Sequence, residues 1–290
     1  MAGVLAYLLW GLLTIYWKLL HDFPPFELIG WRIISSFVML GALIAFQGRL
    51  RAVVSTAFSR EVGPRIAAAA ILVTINWSSY VWAVANDHVI ETALGYFMAP
   101  LGTMWLGVVV LKERLTAAQK ITIGLAIAAI AILTFGYGKF PVIAVLIAGS
   151  WSLYGLLKRQ VPMSSLESLT AEMFWLIVPA IVLAIAQSSL ADSATKTAGS
   201  GEWTLIVLTG LITAVPLVMF GFAAKRVPLT VLGPLQYSVP TINFLLGWLA
   251  YNEELDATRV AGFAMIWVAL MVLAFDTARR STPYANRKTI

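Results

Sequence analysis

The sequence predicts an all-α integral membrane protein whose ten transmembrane helices form two inverted five-helix repeats. Three observations lead to this prediction: an apolar composition, ten charge-poor runs of membrane-spanning length, and a match of the chain to itself at an offset of 140 residues. Of the 290 residues, 60% are hydrophobic and 12% are charged, and the mean hydropathy is +0.86. Because soluble domains carry about 25% charged residues, this chain is expected to lie in lipid.

The charge-poor runs have the length that a membrane helix needs, since about 20 apolar residues cross the hydrocarbon core. Residues 121–135 are apolar on every side, which excludes the alternating pattern of a barrel strand. The first run ends at Lys18 without a cleavage site of small residues, so it is expected to be retained as a span. The ten predicted spans are residues 3–20, 27–46, 66–86, 92–111, 120–137, 140–157, 168–187, 203–223, 229–250 and 259–276.

Lysine and arginine are distributed unevenly between the two sets of loops. Fifteen of the 20 lie on the side that would hold both termini, and only Lys139, Lys196 and Arg259 lie in loops on the other side. Because basic loops remain in the cytoplasm, both termini are predicted to be cytoplasmic. The net charge of +6 then faces the headgroups of the phospholipid bilayer, and no nucleic-acid partner is expected.

The self-match at an offset of 140 residues needs no gap. It predicts a first five-helix repeat over residues 1–138, a second over 139–278 and a basic cytoplasmic tail over 279–290. A repeat of five helices crosses the membrane an odd number of times, so the second copy is inverted. Inverted repeats place a binding site near the midplane and open it to each face in turn, although duplication can also build a scaffold or channel. Identical pairs include Lys18 and Lys158, Glu27 and Glu167, Pro100 and Pro240, Glu113 and Glu253, and Phe135 and Phe275.

Several long stretches are similar to one known family. They are NWSSYVWAVANDHVIETALGYFMAPLGTMWLGVVVLKERLTAAQ over residues 76–119, the opening WGLLTIYWKLL, SWSLYGLLK in the second half, and TAVPLVMFGFAAKRVPLTVLGPLQYSVPT. These stretches resemble the RarD-type branch of the EamA, or drug/metabolite transporter, family over nearly the whole chain. The resemblance implies a multi-pass permease of the bacterial plasma (inner) membrane with ten helices. Thr14 and Ala99 depart from the family pattern, which has proline and asparagine there, and no role is carried over to them.

Two cations lie inside the predicted spans, where a charge is costly and therefore a candidate for function. Lys18 shares a helix face with Trp10, and Arg32 lies about five residues into the second span. We predict that both bind an anionic group of a solute, since arginine offers a planar fork to a carboxylate or phosphate. Alternatively, they extend to the interface or pair with Asp22 and Glu27.

Glu172 is the repeat partner of Arg32. The two residues lie about 7 Å below opposite faces of a core about 30 Å thick, so an ion pair between them is not expected. Lys158, at the end of the sixth span, is the expected partner of Glu172. Arg32, Lys158 and Glu172 are the predicted coupling or gating residues, and Glu172 is a candidate to carry a coupling proton because burial favours a protonated carboxyl group.

Polar and aromatic residues deeper in the spans form a second candidate set. Pro234 and Pro240 remove backbone donors and can distort the ninth span, which favours a polar cavity. Tyrosine and tryptophan can stack on a solute while amides hydrogen-bond it, although such residues also join helices or form interfacial belts. Besides Lys18 and Arg32, the predicted substrate-binding residues are Trp10, Asn76, Tyr80, Tyr96, Tyr154, Gln236, Tyr237 and Asn243.

The sequence has no Walker lysine loop, no GxSxG motif and no cysteine, and its two histidines are too few for a histidine cluster. Neither an enzyme activity nor a cofactor or metal is therefore expected. The expected function is a secondary transporter that exports a small organic solute or metabolite by alternating access, with protons as candidate coupling ions. The alternatives are a membrane scaffold, an enzyme acting on lipid substrates and a facilitative channel.

Overall fold

The computed structural model describes residues 1–86, 89–137 and 140–251, together with six positions between 264 and 272. These described residues form α-helices and no strand, which confirms the all-helical prediction for this part of the chain. The helices are α1 (Ala2–Lys18), α2 (Pro25–Phe46), α3 (Leu50–Ala57), α4 (Gly63–Ala85), α5 (Val89–Val109), α6 (Ala117–Tyr137), α7 (Val142–Gln160), α8 (Ser165–Gln187), α9 (Ala194–Thr197), α10 (Ser200–Ala224), α11 (Leu229–Leu235) and α12 (Ser238–Tyr251).

The first nine predicted spans coincide with helices. Five of these helices, α2, α4, α7, α8 and α10, are long and apolar enough to cross a membrane, and α1, α5 and α6 contain shorter apolar stretches. The tenth predicted span, residues 259–276, lies almost entirely outside the described residues. The tail over 279–290 lies outside them altogether.

The ninth predicted span is interrupted, as its prolines predict. α11 ends at Leu235 and α12 begins at Ser238, with Gln236 and Tyr237 between them. Pro234 lies within α11 and Pro240 in the first turn of α12, and neither can donate a backbone hydrogen bond. The interruption therefore follows from the loss of two donors within seven residues, 234–240.

The short helices α3 and α9 lie in connections for which no helix was predicted. α3 contributes Val53 and Ala57 to a small core with Ile66 and Ala171, so it packs against α4 and α8. Burial of one face stabilises α3, whose two turns are too short to be stable alone. Sequence periodicity over eight residues does not reveal this tertiary packing.

The start of α8 is fixed by a capping box. The Ser164 hydroxyl accepts a hydrogen bond from the Glu167 backbone N–H at 3.3 Å, and the Glu167 carboxylate accepts one from the Ser164 N–H at 3.0 Å. These two bonds satisfy donors that a helix start would otherwise leave unpaired. They also set the register that places Glu172 on the buried face of α8.

Close helix packing and an apolar outer surface characterise the bundle. A β-carbon at Gly210 would lie 2.6 Å from the backbone of Ser35 and Ser36, so only glycine allows α10 to approach α2 this closely. On the outside of α8, Val178, Val182 and Ile185 are 66, 62 and 66% exposed. Side chains of this kind on a long helix face lipid, as expected of a multi-pass membrane protein.

The two ends of the bundle are named here by residues that lie at them. The Lys158 end holds the C-terminal ends of α2, α5, α7 and α10 and the start of α8. The His21 end holds the α1–α2 turn and the C-terminal end of α4.

Candidate functional site

A cavity of about 460 Å³ lies between α1, α2, α4, α5, α7 and α10 and the junction of α11 with α12. Its size falls within the range of about 300–1,000 Å³ that is typical of small-molecule sites. The cavity reaches the surface at the α1–α2 turn, where the His21 side chain is 73% exposed. Eight aromatic residues contribute to its wall, namely Tyr7, Trp10, Trp17, Phe23, Trp77, Tyr80, Tyr96 and Trp151.

A second depression, of about 530 Å³, lies between α2 and α8. It is lined by Ile34, Ile181 and Ile185 and has no charged side chain in its lining. Ile185 is among the exposed apolar residues of α8, so this depression belongs to the lipid-facing surface. The candidate site is therefore the aromatic cavity.

Arg32 brings a positive charge into the wall of this cavity. The carbon at the centre of its guanidinium group lies 3.8 Å from the centroid of the Trp77 ring and 5.3 Å from that of Trp17. These distances allow cation–π attraction to both rings. The Arg32 Nε is buried and has no hydrogen-bond partner among the described residues.

The two acidic residues expected as alternative partners of Arg32 are engaged elsewhere. Glu27 accepts hydrogen bonds from the Ser193 hydroxyl and the Ala194 N–H, both at 3.0 Å. Asp22 lies 3.3 Å from His21. Among the described residues, no carboxylate lies within ion-pairing distance of Arg32.

Two amides in the cavity wall also join helices. Asn76 Nδ2 on α4 donates to the Ile147 carbonyl of α7 at 2.9 Å. Gln236 Nε2, between α11 and α12, donates to the Thr103 hydroxyl of α5 at 2.9 Å. These amides therefore join helices, as the alternative interpretation predicts, and they also line the cavity.

The structure brings six of the predicted binding residues into one wall. These are Trp10, Arg32, Asn76, Tyr80, Tyr96 and Gln236. The rings of Tyr80 and Tyr96, on α4 and α5, lie 5.8 Å apart between centroids. The predicted cavity between distant helices is therefore present, although the binding of a solute by these residues stays a prediction.

Three other predicted binding residues, Lys18, Tyr154 and Tyr237, are absent from the lining of the cavity. Lys18 is exposed at the end of α1, where the helix reaches the His21 end. Tyr154 is buried and donates to Glu172, while Tyr237 is buried and donates to the Phe97 carbonyl at 3.0 Å. The side chain of Asn243 lies outside the described part of the chain.

Tyr7, Trp17, Trp77 and Trp151 line the cavity but were not predicted. A signal for two of them was available in the sequence. Tyr7, Trp10 and Trp17 are spaced by three and seven residues, which places their side chains on one face of α1.

A second polar cluster is buried near the Lys158 end. Lys158 Nζ lies 2.7 Å from Glu172 Oε1, and both side chains are fully buried. Glu172 also accepts hydrogen bonds from the hydroxyls of Ser168 at 3.1 Å and Tyr154 at 3.0 Å. The expected contact between Glu172 and Lys158 is found, and three donors compensate the buried carboxylate.

A single aromatic layer separates this ion pair from the cavity. Trp151, which lines the cavity, lies 5.6 Å from Tyr154 and 4.9 Å from Phe220 between ring centroids. Tyr154 and Phe220 stack at 6.1 Å, and the Tyr154 hydroxyl contacts Glu172. The side chain of Tyr154 therefore spans from the cavity wall to the ion pair.

Glu113 connects the two halves of the chain at the Lys158 end. Its carboxylate accepts hydrogen bonds from the N–H groups of Leu229 at 3.0 Å and Thr230 at 2.9 Å. These donors belong to the first turn of α11, so a carboxylate from the first half caps a helix of the second half. Arg159 lies 3.6 Å from Glu113 and donates to the Val227 carbonyl at 2.8 Å.

Lys225 and Arg49 add further contacts at the Lys158 end. Lys225 donates to the carbonyls of Val161, at 2.6 Å, and Met163. Burial, followed by the nearby charge of Lys158, lowers the pKa of Lys225 below its ordinary value. Arg49 pairs with Glu167 at 2.5 Å. The Lys158 end is therefore joined by charged contacts across several helices.

Comparison with known proteins identifies the family of the chain. The sequence profile of the EamA-like transporter family matches residues 1–135 and 139–275. The chain is 41% identical to Protein RarD of Streptomyces exfoliatus, covering 96% of this chain and 90% of that protein. It is 36% identical to the uncharacterized transporter YojE of Bacillus subtilis, with 94% and 92% covered, and 33% identical to Protein RarD of Escherichia coli, with 98% and 94% covered.

A solved crystal structure has a similar fold. It superposes with a TM-score of 0.71 at 20% sequence identity, covering 94% of this chain and 96% of the other. At this identity the likeness concerns the fold alone. The family match and the relatives covered over nearly their whole length agree with the apolar helices, and the chain therefore belongs to the EamA-like transporter family of multi-pass membrane transporters.

Proposed function

We propose that the protein is a secondary transporter that exports a small organic solute by alternating access. The observation that carries this proposal is the cavity, which is open at the His21 end and ends at a buried aromatic layer before the Lys158 end. Its walls come from helices in both halves of the chain. A cavity that opens at one end of the described bundle corresponds to one state of an alternating-access cycle.

The proposed architecture is an inverted repeat over residues 1–138 and 139–278. The order of helices supports it, because α1 to α5 and α7 to α12 both run as two long helices, one short helix and two further hydrophobic segments. The family profile also matches two segments of similar length. In the second half, the pair α11 and α12 corresponds to α5 and forms the fourth span of the repeat.

The proposed location is the bacterial inner membrane, with both termini in the cytoplasm. The distribution of lysine and arginine supports it, because Arg49, Lys158, Arg159 and Lys225 all contribute to the Lys158 end. In this orientation the cavity opens to the outside. For an exporter, this is the state that follows release of the solute.

We assign coupling and gating to Arg32, Lys158 and Glu172. Lys158 and Glu172 hold α7 and α8 together on the side that must open for a cytoplasmic solute to enter. A proton on Glu172 would remove the negative charge that compensates Lys158 and so weaken this closure. Protons are therefore the proposed coupling ions. Arg32, in the wall of the cavity, is proposed to bind the solute.

The function is tested with purified protein in liposomes. A thermal-shift screen selects the solute that raises the melting temperature most, and uptake of that labelled solute is measured after a pH jump. We expect saturable uptake that responds to the pH gradient and to unlabelled solute on the opposite side, and we expect Glu172→Gln to lose the pH response. Glu61→Gln, a change of an exposed carboxylate, serves as the control.

Each alternative gives a different result in this assay. A scaffold or an enzyme acting on lipids gives no saturable uptake, and a channel gives flux without countertransport or proton coupling. Unchanged proton dependence in Glu172→Gln excludes Glu172 as the coupling site.

A further inference from the structure

The cavity combines a cation with a wall that contains no carboxylate among its described residues. Arginine keeps its charge at any physiological pH, and a charge inside a membrane protein is costly unless it is compensated. Glu27 and Asp22, the acidic neighbours in sequence, are engaged with other groups. The cavity therefore favours a negatively charged ligand and disfavours a cation.

The geometry around Arg32 restricts how such a ligand can approach. Trp77 lies against the guanidinium group at 3.8 Å and Trp17 contacts it at 5.3 Å, so π systems occupy its surroundings. The edge of the group carries the N–H donors, and Nε is a buried donor that no described residue partners. A planar carboxylate, which accepts two parallel N–H bonds along such an edge, matches this arrangement.

The rest of the cavity fits an apolar or aromatic body. Tyr80 and Tyr96 face each other at 5.8 Å, and Trp10 packs edge-on to Trp151 at 5.2 Å. The amide groups of Asn76 and Gln236 each use a donor to join helices. A body with many hydroxyl groups would thus find few free partners, whereas an aromatic ring packs well against these walls.

Building on the transport function proposed above, we propose that the solute is a small organic monoanion. Its carboxylate binds Arg32, and its aromatic or apolar body packs between the tryptophan and tyrosine side chains of the cavity. A phospholipid phosphate shares the negative charge, but it lacks a compact aromatic body attached to the anion. Arg32 is then the residue that distinguishes an anion from a neutral analogue.

The test uses three probes that share one body: 3-phenylpropionate, 3-phenylpropionamide and 3-phenylpropylamine. Binding to purified protein in detergent is followed by quenching of the tryptophan fluorescence, since four tryptophans line the cavity. We expect the carboxylate to bind at least about tenfold more tightly than the amide, because a hydrogen bond to a charged group is lost. The amine is expected to bind most weakly.

Two variants and a control separate charge recognition from folding. Arg32→Gln is expected to bind carboxylate and amide equally while keeping the amide affinity of the unsubstituted protein, which shows that the cavity is intact. Arg32→Lys keeps the charge without the planar fork and is expected to retain part of the preference for the carboxylate. It replaces Arg32→Gln in the test if Arg32→Gln does not fold. Lys196→Gln removes an exposed cation of α9 that is absent from the cavity lining, and this variant is expected to keep the full preference.

Several results would overturn the inference. They are equal binding of carboxylate and amide by the unsubstituted protein, no saturable binding of any probe at millimolar concentration, and a preference that persists in Arg32→Gln. Displacement of 3-phenylpropionate by inorganic phosphate at equal concentration would also overturn it, since the aromatic body would then contribute nothing. Anion-selective binding without saturable flux in liposomes would instead reject the transport function and leave this inference standing.

Discussion

At the Lys158 end, the buried cation lies 2.7 Å from Glu172, and this carboxylate accepts from Lys158, Ser168 and Tyr154. Towards the His21 end, Arg32 has aromatic neighbours, a buried Nε without a partner, and no carboxylate in reach among the described residues. A compensated charge joins helices, whereas an uncompensated charge in a cavity is available to a ligand. Lys158 and Arg32 therefore have different consequences for stability.

The largest expected effect is at the compensated pair. Glu172→Leu leaves Lys158 buried without a counter-charge, and the free energy of unfolding is expected to fall by about 3–5 kcal/mol. Thermal or denaturant unfolding of the purified protein measures this loss. The double variant Lys158→Met, Glu172→Leu removes both charges and is expected to recover most of the stability, since apolar residues of similar volume are tolerated. A double variant as unstable as Glu172→Leu would show that the uncompensated charge of Lys158 does not cause the loss of stability.

A smaller loss is expected where Glu113 caps α11. Glu113→Gln weakens the hydrogen bonds to Leu229 and Thr230 and removes the charge near Arg159. The free energy of unfolding is therefore expected to fall by about 1–2 kcal/mol. Arg49→Gln is the comparison, because the Arg49 side chain is 55% exposed and such pairs contribute about 0–1 kcal/mol. An Arg49→Gln loss equal to that of Glu113→Gln would show that capping α11 adds nothing beyond a surface pair.

Near the His21 end, the expected effect has the opposite sign. Arg32→Met removes an uncompensated charge and keeps a flexible side chain against Trp17 and Trp77, so stability is expected to rise by about 1 kcal/mol, partly offset by the lost cation–π contacts. The melting temperature measures the change, and anion binding is expected to disappear in the same variant. Destabilisation as large as that of Glu172→Leu would identify Arg32 as a structural residue and remove the contrast between the two ends.

The helices were predictable because their length and composition are imposed by lipid. The first nine spans, and the interruption near Gln236, follow from apolar runs and from the chemistry of Pro234 and Pro240. The contact between Lys158 and Glu172 was also predictable, because a buried carboxylate requires a nearby cation. The short helices α3 and α9 were not, because they depend on packing against residues far away in the sequence.

The residues that line the cavity were harder to predict, because they too depend on packing between residues far apart in the sequence. Helical spacing places Tyr7, Trp10 and Trp17 on one face of α1, but it does not show which helix that face meets. Tyr154 and Tyr96 have the same residue type in predicted spans, yet one contacts Glu172 and the other lines the cavity. Only the packing of distant helices distinguishes these two roles.

The aromatic layer has a thermodynamic consequence. Trp151 contacts the cavity, Tyr154 contacts Trp151, and the Tyr154 hydroxyl reaches Glu172. A solute that moves Trp151 therefore changes the environment of the carboxylate through a single intervening side chain. Linkage is reciprocal, so by whatever factor such a solute shifts the equilibrium between the formed and the broken Lys158–Glu172 pair, breaking the pair changes the affinity for the solute by the same factor.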